Sequence, residues 1–172
     1  VQTMKNPTIN IFVENIYEEF GFDEVEFHND VQKMLKFAIE LPEVKENCCL
    51  TGKDFSTLVF DIVLCNNEEI HRINREYRNI DRPTDVISFA MFADSDPDDV
   101  FILDGEINLG EIIISLDKTA EQAKENGVST DDEARLLAAH GILHLLGFDH
   151  QTDDDYNFVV KTQNKIKASL NV

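Results

Sequence analysis

A mixed α/β domain is predicted for this chain of 172 residues. The expected architecture is α/β (α+β), a single mixed β-sheet of about four strands packed with about five helices. Short β-branched or aromatic runs alternate with longer stretches of helical apolar spacing. Hydrophobic residues make up 42% of the sequence, enough for a real core. There is no internal repeat and no Gly-, Pro- or Ser-rich linker, so residues 1–172 are expected to form one domain.

The elements follow in order. Residues 8–13, TINIFV, alternate and read as a strand. Residues 26–41 carry Val31, Leu35, Ala38 and Ile39 at helical spacing, and Pro42 closes that helix. Residues 57–65, TLVFDIVLC, read as a buried strand. Asn67 is placed to cap a helix over 68–78, with Glu68 and Glu69 in the favourable first turn. The DRPTD turn then leads into a strand at Val86–Met91.

Residues 93–106 read as an exposed acidic loop. Its spaced aspartates do not form a calcium loop. Asp99 stands where the sharp-turn Gly is needed, Pro97 interrupts the loop, and no Glu sits at position twelve. LGEIII, residues 109–114, reads as the next strand. Ser115 or Asp117 starts a helix ending near Gly127. Ser129 with Asp132 resembles a capping box opening a helix over 130–146, with Gly147 as its stop. Thr152 and three aspartates open a last helix, with Lys161, Lys165 and Lys167 toward its end as the helix dipole favours.

Composition narrows the function. Lys and Arg number 15 against 34 Asp and Glu, a net charge of −19. Such a chain repels nucleic acid at long range, so a polyanion has to be held locally. The near-neutral stretch 66–92 offers the place, with Arg72, Arg75, Arg78 and Arg82. No apolar run approaches the ~20 residues of a membrane span, so no membrane partner is expected. VQTMKNPTINIF lacks a basic start followed by an apolar run, so no secretory signal is expected. Cys48, Cys49 and Cys65 are odd in number and make no CxxC pair. A disulfide framework or thiolate zinc site is therefore not expected, and a reducing cytoplasm fits.

Residues 139–150, AHGILHLLGFDH, carry the chemistry. His140 and His144 are i and i+4 on a helix, one above the other on one face. The helix around them is apolar nearly all round and reads as buried. Gly147 permits the turn that brings His150 back toward them. Burying several imidazoles without a partner is costly. Three of them without a fourth protein ligand describe an open metal site, which would activate water or polarise a phosphoryl oxygen. Zinc suits the set; nickel, copper, iron or another divalent transition metal would also be held.

The spacing is that of the zincin pattern HExxHxxGxxH, with Gly141 where the protease carries its general base, which argues against peptide hydrolysis. Arg78 closes the helix before DRPTD, and its guanidinium suits two-point contact with a phosphate. Arg72, Arg75 and Arg82 are expected to pair with Glu68, Glu69, Glu76 and Asp81 at the surface. Asp85 serves turn chemistry by default, with an arginine-orienting or basic role open. Asp149 is placed to take the free N–H of a liganding imidazole or to sit in a solvated turn. Ser115 reads as a helix cap with a phosphate-donor role open, and His28 and His71 read as surface residues.

Within these segments the chain resembles the YbeY family of single-strand-specific endoribonucleases. HGILHLLGFDH is similar to that family's HGxLHLxGYDH, with Phe148 for Tyr. INREYRNIDRPTDVISF over 73–89 and LGEIIIS over 109–115 are similar to its LNxxYRxxDxPTDVLSF and LGDIxIS. The resemblance implies zinc ligands at His140, His144 and His150 and a functional arginine at Arg78. It also implies a metal at the base of a basic cleft. The implied work is small-subunit ribosomal RNA 3′-end maturation and ribosome quality control, with RNA and the ribosome or small-subunit proteins as partners. A metal-dependent hydrolase of another phosphoester, and a non-catalytic ribosome-associated factor with a structural metal, are the competing readings.

Overall fold

The computed structural model describes residues 6–92, 96 and 99–171. Four strands hydrogen-bond in the order β1-β2-β4-β3, where β1 is Thr8–Asn15, β2 Thr57–Cys65, β3 Val86–Ala90 and β4 Glu106–Ser115. β1–β2 and β2–β4 are parallel and β3–β4 is antiparallel, which makes the sheet mixed. Among the described residues six α-helices accompany it: α1 (Glu24–Glu40), α2 (Pro42–Lys45), α3 (Asn67–Arg78), α4 (Leu116–Asn126), α5 (Thr130–Leu145) and α6 (Asp153–Ala168).

Strand alternation sorts the core. Leu58, Phe60, Ile62 and Leu64 of β2 and Ile107, Ile112 and Ile114 of β4 pack with Val31, Leu35 and Ala38 of α1. Ala138, Ile142 and Leu145 of α5 join the same cluster. On the opposite face Cys65, Ile87 and Ile113 meet Ile70 and Ile73 of α3. β4 keeps this alternation only because it bulges. Its register against β2 shifts between Val59 and Phe60, which pair with Asn108 and Gly110 and leave Leu109 as the extra residue. Gly110 sits at φ +124°, where a Cβ would lie 2.0 Å from the Phe89 carbonyl oxygen, so only glycine fits.

Several boundaries differ from the sequence expectations, each for a physical reason. α1 starts at Glu24 because Asp23 caps it, its side chain accepting from Glu26 N at 3.0 Å. Pro42 does not simply end that helix; it is the first residue of α2, where its missing N–H is no loss. Asn66, not Asn67, caps α3, accepting from Glu69 N at 2.9 Å. Asn67 instead ties α3 to the sheet end. Its N–H donates to Asp117 Oδ2 at 2.9 Å, and its Oδ1 accepts from Ser115 Oγ at 2.7 Å.

β4 begins at Glu106, ahead of the expected 109, because Ile107 already alternates into the core. Residues 93–95, 97 and 98 of the acidic loop lie outside the described residues. Of the rest, Val100 is buried. Leu103 and Glu106 exchange backbone hydrogen bonds at 3.0 and 2.9 Å around Asp104 and Gly105, both at positive φ, a turn type suited to a hairpin. His28 and His71 are partnered rather than free. His28 Nε2 meets the Ile11 carbonyl at 3.0 Å, and His71 Nε2 meets Asp81 at 2.8 Å.

Candidate metal centre

The centre is built from the C-terminal half of α5 and the turn that follows. Ser129 caps α5, accepting from Asp132 N at 3.1 Å. After Leu145 the chain reverses through Gly147 at φ +104°, with Phe148 N–H bonded to the Leu143 carbonyl at 2.9 Å. Phe148 packs on Phe158 of α6 with ring centroids 5.2 Å apart. This fixes the return of the chain, and His150 arrives beside the helix.

His140, His144 and His150 each present a ring nitrogen, and these atoms lie within 4.8 Å of one another. Nε2 of His140 and Nε2 of His144 are 2.9 Å apart. Two nitrogens on one tetrahedral ion stand about 3.4 Å apart, given zinc–nitrogen bonds of about 2.0–2.1 Å. The observed separations bracket that spacing, so the group could hold a metal ion. Burial, helped by the neighbouring imidazoles, pushes His144 down to about 4. His140 is also lowered, chiefly by burial. Both rings are thereby kept neutral at physiological pH, the form that binds metal.

The imidazoles lie on an open cleft of about 1310 Å³ that also takes Arg78, Asp85, Gln122, Glu133, Asp149 and Gln163 into its walls. Arg78 ends α3, and Asn79 then turns the chain at φ 58°, its N–H bonded to the Asn74 carbonyl. The buried Asn74 amide donates to the Arg82 carbonyl at 2.9 Å, which pins the same turn. Arg78 is near enough to help depress His144. Arg72 behaves as expected, pairing with Glu69 and with Glu76. Asp81 goes to His71 rather than to an arginine.

The remaining expected residues take other places. Asp85 Oδ1 accepts from Val86 N at 2.8 Å, and its Oδ2 accepts from Gln122 Nε2 at 3.2 Å. Its charge acts on His140 across the cleft. Asp149 accepts the backbone N–H of His150 at 2.8 Å and Gln151 Nε2 at 3.2 Å. The first of these bonds leads in holding its carboxyl below the usual range. Ser115 is fully buried, caps α4 and bonds Asn67, away from the cleft lining. The polar group that does meet a ring nitrogen is Gln163, whose Oε1 is 2.7 Å from His140 Nδ1. Sequence reasoning missed it, because it stands in a different helix and belongs to no local spacing pattern.

Fold and site together define the class: an enzyme on a mixed α/β sheet whose open cleft ends on three imidazoles. The chain belongs to the endoribonuclease YbeY family, whose model, described as Endoribonuclease YbeY, matches residues 12–171. The endoribonuclease YbeY of Bacillus pumilus is 41% identical over 154 residues, 88% of this chain and 91% of that protein. That of Acetivibrio thermocellus is 36% identical over 171 residues, 95% of this chain and 98% of that protein. The solution structure of TM1509 from Thermotoga maritima matches with a TM-score of 0.55 at 23% identity, over 94% of this chain and 87% of that one. That likeness concerns the fold alone. Among the described residues no helix is long and apolar enough to cross a membrane.

Proposed function

We propose that this chain is a metal-dependent, single-strand-specific endoribonuclease acting on ribosomal RNA, in small-subunit 3′-end maturation and ribosome quality control. In this reading residues 1–172 form one domain that works in the cytoplasm. The observation that supports it best is the convergence of His140, His144 and His150 on the cleft that also receives Arg78. Zinc is the ion the three imidazoles suit best; nickel or another divalent transition metal also satisfies them. When bound, the ion supplies a Lewis acid beside a phosphodiester.

This chain's own side chains do the rest. Arg78 holds two oxygens of the scissile phosphate and offsets the charge that builds on them. Asp85 and Asp149 support rather than react: one braces the turn after Arg78, the other the turn that presents His150. Ser115 secures the junction of β4, α3 and α4 below. Gly141 leaves no carboxylate after the first histidine, so the nucleophile is either water or the RNA's own 2′-hydroxyl. With a net charge of −19, free RNA is held weakly. The ribosome or its small-subunit proteins complete the capture.

Cleavage of an end-labelled single-stranded RNA tests this, with wild type and His140→Ala purified in parallel. Cutting by the wild type alone is expected. Equal cutting by both, or by neither, overturns the reading. A linear phosphate on the product marks water attack and a cyclic phosphate marks 2′-hydroxyl attack.

A further inference from the structure

A neutral imidazole carries one N–H, and only its other nitrogen has a lone pair for a ligand. His140 therefore needs its hydrogen placed on Nδ1 before Nε2 can face His144 and His150. Opposite Nδ1, at 2.7 Å, stands Oε1 of Gln163. That amide oxygen accepts and cannot donate, so it draws the ring hydrogen onto Nδ1 and leaves Nε2 bare. His144 Nε2, 2.9 Å away, then donates to it until an ion takes that place. Gln163 is itself held, because its neighbour Thr162 and the flanking Val159 and Ile166 anchor α6 in the core.

We infer that Gln163 is a positioning residue of the metal centre. Its amide oxygen fixes the tautomer and ring plane of His140, and through them the affinity for the ion. The inference rests on the metal-dependent reading above. A second consequence comes from charge. A carboxylate in this position would add a negative charge to the centre. The amide adds none, so the three rings and their support take no charge from the ion, while carboxylates in the cleft walls such as Asp85 and Asp149 already oppose it.

The test is zinc affinity, read by competition with a chromophoric chelator at one pH. Wild type, Gln163→Met and Gln163→Glu are compared, and far-UV circular dichroism of the metal-free proteins checks that each is folded. Methionine keeps the length of the side chain and removes the acceptor; glutamate keeps the acceptor. Gln163→Met should bind zinc about 10–100-fold more weakly, and Gln163→Glu at least as tightly as wild type. Wild-type affinity in Gln163→Met overturns the inference and leaves the metal-dependent reading standing. So does a Gln163→Glu protein, folded by circular dichroism, that loses affinity as a non-acceptor would; this arm decides the matter even where Gln163→Met does not fold. A wild-type protein that binds no zinc overturns the inference, and one that binds no divalent transition metal overturns both.

Discussion

Gly141 presses against Ile112: a Cβ on the glycine would stand 2.8 Å from Ile112 Cδ1 and 3.0 Å from its Cγ1 and Cγ2. The position after the first histidine therefore faces the sheet and not the cleft. In the zincin pattern that position carries the general base. Here it carries a close approach of α5 to β4, one residue from His140 and three from His144.

Gly141→Ala weighs a gain in helix propensity of about 1 kcal/mol against an overpacking cost of about 1–3 kcal/mol. Lower stability in urea denaturation is the expected net result. Gly141→Glu is expected to fold poorly and to gain no peptidase activity. A Gly141→Glu protein as stable as wild type would show that α5 has room to move off Ile112.

His144→Ala should lose the ion. Elemental analysis after gel filtration reads one equivalent in wild type and background in the variant. One equivalent retained by His144→Ala would refute its assignment as a ligand.

Arg78 and Arg72 belong to one helix but differ in what they touch. Arg72 is already held by Glu69 and Glu76, whereas Arg78 lines the cleft. Arg78→Ala should slow RNA cleavage about 10²–10³-fold, the scale of losing one charge-stabilising donor, with metal content unchanged. Arg72→Ala should cut near the wild-type rate. The reverse ranking in a single-turnover assay would move the phosphate site to the outer side of α3.

The metal-free protein should lose stability in acid. His144 is pushed down to about 4 and His140 is lowered with it, both mainly by burial. Unfolding returns these rings to an ordinary value near 6.5, so the unfolded chain binds more protons between the two limits. Their contribution is complete above about pH 6.5 and is lost as the pH falls toward 4. The denaturation midpoint of chelator-treated protein at pH 7.5 and at pH 5 checks this; a midpoint unchanged over that range would contradict it.

Most elements were legible because each combines a local pattern with a local cap. Ser129, Thr152 and Ser115 cap the helices that their spacing announced. The convergence of the three histidines was legible for the same reason: an i, i+4 pair and a glycine turn are short-range facts. Long-range pairing was not legible. Asn66 and Asn67 are equally good caps in sequence, and the ties from Ser115 and Asp117 to Asn67 decide between them. The bulge at Gly110 shows only against β2, and Gln163 shows only once α6 lies beside α5.

The sheet order also says when the centre can come into being. All four described strands precede His140 in the chain, and α5 packs on the core face that β2, β4 and α1 share. Pairing of distant strands is the slow part of folding, and synthesis delivers the N-terminal segments first. The ion is thus a latecomer: its three ligands leave synthesis after every described strand, and it locks a surface that the sheet supplies.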